Sequence, residues 1–374
     1  MVFPPGQSDH ARRCADAHCC PDRGKAAPRL RAGRLATGLI LFLSYVLVAY
    51  AARADDLRVA TWHAEFSRNG PGLLLRDLKA GKVDLAPILD TGPDLLLLTD
   101  FDYDAGLAAL DALRTQLKAK GLALDHLFSA RPNAGWQTGL DLDGDGRTGG
   151  PRDAQGYGRF AGQGGMALLS RYPVTLEADL SRLLWSEVPD SRMTPDDPAP
   201  DVQRLSSSAH WALRVDTPAG PLLLLTLCAT PPVFDGPEDR NGRRNHDEVR
   251  LWAQYLDGAL RLPPEPALGS LAHFADDLAA GPPPVVILGN LNLDPERGEG
   301  LHGAARALLA HPRITDPLPG VDTVTWASTG PMRVSYLLPD RALTVLGAGV
   351  MPPAPEAETG PHGLVWADLA LPTP

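Results

Sequence analysis

Beyond Arg53 the sequence carries one cysteine, Cys228; the other three, Cys14, Cys19 and Cys20, all lie near the N-terminus. A lone cysteine excludes an intrachain disulfide in that part of the chain. Cys19 and Cys20 are adjacent, and nothing downstream completes a metal-binding set with them. Positive charge is also scarce. The net charge is −10, and residues 1–54 hold eight Lys/Arg against three Asp/Glu, so without them it becomes −15. Such a chain repels phosphate backbones unless a metal or a local basic patch intervenes, which argues against unassisted nucleic-acid binding. A small phosphorylated or otherwise anionic ligand stays compatible with it. Internal repeats are missing as well, which excludes a solenoid or an array.

The one long apolar run is Leu35 to Ala52, "LATGLILFLSYVLVAYAA", preceded by Arg29, Arg31 and Arg34 and followed by "ARA" at 52–54. A basic flank, an apolar stretch and a small-x-small site predict a secretory signal peptide cleaved after Ala54. The alternative is an uncleaved anchor, since the run nears the roughly 17–25 residues that a span requires. Two parts are therefore expected: an N-terminal extension with its signal over 1–54, and a folded domain over 55–374. The domain would be periplasmic or secreted, or anchored outside the cytoplasm. Any contact with a membrane is expected through the N-terminal segment alone.

The rest is rich in short strand signals. "LRVATW" (57–62), "DLLLLT" (94–99), "HWALRVDT" (210–217), "PLLLLTLCA" (221–229) and "PVVILGN" (284–290) are apolar runs of strand length. "GGMALLSRYPV" (164–174), "MRVSYLLP" (332–339), "LTVLGAGV" (343–350) and "GLVWADLAL" (363–371) add more. Helical spacing marks 71–81, 105–121, 245–260 and 302–312. Strands cluster in pairs with helices between them, the pattern of two sheets packed face to face with helices outside. The 37 glycines and 37 prolines imply much loop, and two long ones stand out, over 131–165 and 231–248.

Eight segments, in order, carry a family likeness: "LRVATWHAEFSRNGPGLLLRDL", "PDLLLLTDFDYD", "GLDLDGDGRTGGPRDAQGYGRF", "GGMALLSRYP", "ATPPVFDGPEDRNGRRNHDE", "VILGNLNLDP", "RVSYLLP" and "GPHGLVWADL". On these the chain resembles the endonuclease/exonuclease/phosphatase superfamily of DNase I-like nucleases, sphingomyelinases and inositol phosphatases, in a secreted bacterial branch. The resemblance implies a DNase I-like four-layer α/β/β/α sandwich of two mostly antiparallel sheets. It also implies phosphoester hydrolysis with a divalent metal, Mg²⁺ or Mn²⁺, at the strand ends.

The family's chemistry needs a Glu on the metal, an Asp in G-D-x-N to activate water, Asn donors to the developing charge, and a His fixed by an Asp in S-D-H. This chain departs from that pattern at most positions. The Asn closing the first strand is His63. The metal Glu is Asp100, and the His of "HPTPP" is Cys228. The G-D-x-N Asp is Asn290, while Asn292 matches. The R-V-D-Y Asp is Ser335. In "GPH" the Asp is Pro361 and His362 remains. Asn290 carries no charge and cannot act as a base. His63, Asn290, Asn292 and His362 are thus the candidate catalytic positions and Asp100 the candidate metal ligand, in a site expected to retain little or no ancestral activity and to bind instead. An active site rebuilt on His63, Asp100 and His362 is the alternative.

Two further motifs stand apart. Asp141, Asp143 and Asp145, followed by Gly146, form the front half of a Ca²⁺ loop and are a candidate structural Ca²⁺ site, against the alternative of a plain polar turn, since the twelfth position is Arg152 with Asp153 one step late. Arg240, Arg243 and Arg244 are candidates to clamp a phosphate, against the alternative of a solvated loop paired to Asp235, Glu238 and Asp239. His210, His246, His273, His302 and His311 show no partner pattern and are expected at the surface or at helix caps.

Overall fold

A computed structural model describes residues 56–260, 282–353 and 360–372. The expected signal segment and His273 lie outside these. Among the described residues no helix is long and apolar enough to cross a membrane.

Thirteen strands and five α-helices are described. β1 (Asp56–His63), β2 (Leu95–Phe101), β3 (His126–Phe128), β4 (Gly165–Ser170), β12 (Thr344–Met351) and β13 (Leu364–Ala370) form a six-stranded sheet in the order β12-β13-β1-β2-β4-β3. β5 (Val174–Asp179), β6 (His210–Thr217), β7 (Gly220–Cys228), β8 (Val285–Asn290) and β11 (Ser335–Pro339) form a five-stranded sheet in the order β11-β8-β7-β6-β5. β9 (Val324–Trp326) pairs with β10 (Gly330–Met332). Within each large sheet one central pair is parallel, β1 with β2 and β7 with β8, and the remaining pairs are antiparallel.

The inner strands β2, β4, β7 and β8 are buried on both faces, so they read as continuous apolar runs rather than alternating ones. Leu57, Val59, Leu95 and Leu97 of one sheet meet Leu222, Leu224, Val286 and Leu288 of the other. Their chain neighbours point the opposite way, as the period of two requires. Ala60, Trp62, Leu96 and Leu98 pack under α1 (Leu73–Lys79), α2 (Ala86–Thr91) and α3 (Ala108–Ala119). Leu223, Leu225, Leu227 and Ile287 pack under α4 (Arg240–Leu256) and α5 (Gly303–Leu309). The layers are therefore α/β/β/α, as expected.

Two sequence readings change. The charged stretch 231–248 is not all loop, because α4 begins at Arg240. Asp235 accepts the Asn241 backbone N–H in the helix's first turn, where four N–H groups lack intrahelical partners. His246, inside α4, is buried rather than at the surface or a cap, and His210 is not a surface residue either. It is fully buried, its Nδ1 bonded to Ser206 Oγ at 2.7 Å and its Nε2 to the Glu248 carbonyl at 3.0 Å. Burial pushes this imidazole down to about 4. Below its ordinary value of 6.5 the unfolded chain takes up a proton that the folded chain refuses. The contribution is therefore complete above pH 6.5 and is lost as pH falls toward 4. His210 alone is expected to cost about 2 kcal/mol of stability between pH 7 and pH 5. Denaturant titrations at both pH values should show that difference shrinking in His210→Gln.

Candidate functional site

Parallel pairing brings the ends of β1 and β2 together in one sheet and those of β7 and β8 in the other, and β8 faces β1 and β2 across the sandwich. His63 closes β1, Asp100 lies near the end of β2, and Cys228 and Asn290 close β7 and β8. Ser335 pairs with Asn290 across β8 and β11, and His362 precedes β13. A cleft of about 1130 Å³ opens there, lined by His63, Asp100, Cys228, Asn292 and His362 among others.

Backbone geometry aims these side chains. Asp100, Glu65 and Asn292 all have positive φ, at 58°, 51° and 51°. The β2–β4 register slips between Thr99 and Phe101, a bulge that takes Asp100 out of the regular strand alternation. Gly289 has φ 141°, and a Cβ there would lie 1.9 Å from the Leu227 carbonyl oxygen. Only glycine lets β8 approach β7 closely enough to present Asn290.

Asn290 Nδ2 donates to His63 Nδ1 at 3.1 Å and to Asn292 Oδ1 at 3.0 Å. Its Oδ1 accepts from the Asn292 backbone N–H and from Ser335 Oγ. His63 Nδ1 also lies 2.9 Å from the Thr99 hydroxyl, so two polar groups from two sheets hold the ring in place. Burial pushes His63 down to about 4, so the ring is neutral. The His362 ring lies 4.5 Å from it, centroid to centroid, and 5.6 Å from Trp326. Burial, with His63 adding, pushes His362 down to about 2. Among the described residues its buried Nδ1 has no hydrogen-bond partner, and no carboxylate holds the ring. Asn292 donates from Nδ2 to the Ala229 carbonyl at 2.8 Å. Burial lifts the Cys228 thiol well above its ordinary range, so it does not supply a thiolate.

The cleft is acidic. Glu65, Asp100, Asp235, Asp294 and Glu299 line it against one described cation, Arg297, which Asp294 and Asp322 already pair. Burial pushes Asp100 up to about 6, against the pull of the Ser67 backbone N–H and Arg68. Burial also raises Glu65, and Asp100 raises it further against the opposing pull of His63. Two carboxylates raised by burial, with no ion pair to either among the described residues, suit a hard divalent cation that takes oxygen ligands. Glu65 was not picked out from the sequence. Its position two residues past the strand end was the available signal, but the turn that aims it is tertiary. His63, Asp100 and His362 do not form a three-ligand set. Among the described residues, the group whose ligand atoms all lie within 4.8 Å of one another is Asp141, Asp143 and Asp145. In that loop Asp141 accepts from the backbone N–H groups of Gly144, Asp145 and Gly146. Asp153 clips the loop shut by accepting from Leu142 and Gly150.

The expected arginine clamp is not formed. Arg243 pairs with Asp197 at 2.6 and 2.8 Å. Arg244 donates to the carbonyls of Leu205, Gln155, Arg204 and Ser206. Arg240 bonds the Leu142 carbonyl. Once 240–244 turns helical, successive side chains diverge around the axis, and each ties down a different loop.

A four-layer sandwich with an acidic cleft at the ends of paired parallel strands is the architecture of DNase I-like phosphoesterases. Residues 53–362 match the model of the Endonuclease/Exonuclease/phosphatase family, and the chain belongs to that family. Among solved structures, an endonuclease/exonuclease/phosphatase from Beutenbergia cavernae DSM 12333 is similar over 85% of this chain and 72% of that one, with 17% identity and a TM-score of 0.51. A family protein from Bacteroides vulgatus covers 84% and 99%, at 12% identity and TM-score 0.48. Sphingomyelinase C from Streptomyces griseocarneus covers 84% and 99%, at 13% and 0.44. At such identities the likeness shows the fold alone. No curated protein matches the chain.

Proposed function

We propose that this family member has kept the phosphoesterase cleft and lost its hydrolytic chemistry, and that it binds a phosphorylated small molecule with little or no turnover. The observation that carries the reading is the Asn290 amide. It donates to His63 where a base would have to accept a proton. The orphaned Nδ1 of His362 supports it, because an unanchored neutral imidazole is poorly placed to donate to a developing charge. The family likeness implies a divalent metal, and Asp100 with Glu65 supplies the donors that would hold Mg²⁺ or Mn²⁺. Such an ion, when bound, neutralises phosphoryl oxygens. Without it an acidic cleft repels a phosphate.

Calorimetry on the full chain should show Mg²⁺ or Mn²⁺ binding that is lost in Asp100→Ala. Hydrolysis of bis-p-nitrophenyl phosphate and of DNA should match the Asp100→Ala background. Turnover that vanishes in Asp100→Ala would establish the second reading, an active enzyme with a rebuilt site, which the paired carboxylates favour. Ca²⁺ binding that survives Asp100→Ala is assigned to the Asp141–Asp145 loop. The apolar N-terminal run supports export to the periplasm or beyond, and N-terminal sequencing of the native product separates cleavage from anchoring.

A further inference from the structure

Trp136 lies in the Gly-rich loop after β3, and three arginines from three different segments gather on its ring. The guanidinium carbons of Arg131, Arg204 and Arg182 stand 3.9, 4.4 and 5.9 Å from the ring centroid. Arg131 follows β3, Arg182 follows β5, and Arg204 precedes β6. None of these four residues lines the strand-end cleft. One buried side chain stitches the three segments together. Asn133 donates from Nδ2 to the carbonyls of Ser181 at 2.6 Å and Ser206 at 2.7 Å, and its Oδ1 accepts from Arg204 at 2.7 Å. The arginines are therefore presented by a fixed frame.

Their charge is not answered from within. Among the described residues no carboxylate comes within ion-pair distance of any of the three. Asp179 is the acidic neighbour that Arg204 feels, and its Oδ1 takes the Ser181 backbone N–H. Arg131 and Arg182 are exposed and make no hydrogen bond among the described residues. Burial and the two neighbouring guanidiniums hold Arg204 below its ordinary value. A chance surplus of basic residues does not explain the cluster, since the sequence past residue 54 is strongly acidic.

We propose that Arg131, Arg182 and Arg204, gathered on Trp136, form a binding site for a phosphate group, distinct from the strand-end cleft. Stacking on the indole fixes the plane of a guanidinium and leaves its N–H fork to an oxyanion, a geometry that suits phosphate and carboxylate. Three cations, with the forks of Arg131 and Arg182 unengaged and Arg204 Nη1 held by Asn133, match the charge and three acceptor oxygens of a phosphate better than a single carboxylate. The phosphate belongs either to a free small molecule or to a lipid headgroup.

The test uses the full chain at low salt without divalent metal. Pyrophosphate is titrated by calorimetry, and vesicles of phosphatidylglycerol are compared with phosphatidylcholine by co-sedimentation. Arg131→Ala and Arg182→Ala should each weaken binding about tenfold. Arg182→Lys should fall between, because the ammonium keeps the charge and loses the fork. Asp100→Ala should bind as the unaltered chain does, so failure of the cleft reading leaves this one standing. Binding of pyrophosphate assigns a free phosphate; binding of phosphatidylglycerol vesicles alone assigns a headgroup. No binding of either probe, or binding that survives the Arg131→Ala/Arg182→Ala pair, overturns the proposal. Both replaced side chains are exposed, and an unchanged thermal midpoint checks that the fold survives.

Discussion

Putting two carboxylates back, as Asn290→Asp with Pro361→Asp, is expected to raise phosphodiester hydrolysis in Mg²⁺ or Mn²⁺ at least about 10²-fold over the unaltered chain. The amide of Asn290 donates where a base must accept, and a carboxylate of the same size reverses that role. A general base contributes roughly 10²–10⁴ in rate. The second change places an acid beside His362, whose Nδ1 lacks a partner among the described residues. Effects within one catalytic unit are non-additive, so Asn290→Asp alone should recover much less than the pair. The assay is initial rate on bis-p-nitrophenyl phosphate against the same protein carrying Asp100→Ala. A double variant no faster than the unaltered chain would overturn the idea that these two carboxylates are what the cleft lacks, and Cys228 and Ser335 are the next positions to test.

Glu248→Ala should cost about 3–5 kcal/mol of stability, the range for removing one partner of a buried charged network. Glu248 is fully buried on α4. It accepts from the Ser207 backbone N–H at 2.6 Å, from Ser207 Oγ at 2.8 Å and from the Thr230 backbone N–H at 2.7 Å. Burial raises its carboxyl above the ordinary range, while Arg244 and these donors pull the other way. Truncation strands two N–H groups, at roughly 1–3 kcal/mol each, and takes the counter-charge from Arg244. Glu248→Gln keeps the shape and one acceptor oxygen and should cost less. Denaturant unfolding of both variants checks the order; a loss under about 1 kcal/mol for Ala would mean the contacts are incidental. Ser207 and Thr230 both line the cleft, so ligand affinity should weaken alongside stability.

Most of the scaffold was legible because the strands announce themselves. Runs such as "DLLLLT" and "PVVILGN" are apolar on both faces, which a strand between two layers requires. The positions of His63, Asp100, Asn290 and His362 were legible too, since each falls at the boundary of an apolar run. Their chemistry was only half legible. Residue type said that Asn290 cannot be a base, but not that its amide faces His63. The charged stretch around Arg243 and Arg244 misled, because composition does not tell a solvated loop from a helix whose polar side ties down neighbouring loops. The same limit hid Glu248 and His210, buried polar groups that hydrogen bonds from distant segments make tolerable.

The sequence by itself determined the layers, because period, run length and residue type are local properties, and the order of its motifs pointed to the family. The tertiary structure decided which groups meet. Glu65 with Asp100 in one cleft, the tilted imidazoles of His63 and His362 and the three arginines on Trp136 each join residues far apart along the chain. No local pattern encodes a contact made only when distant segments of the chain are brought side by side.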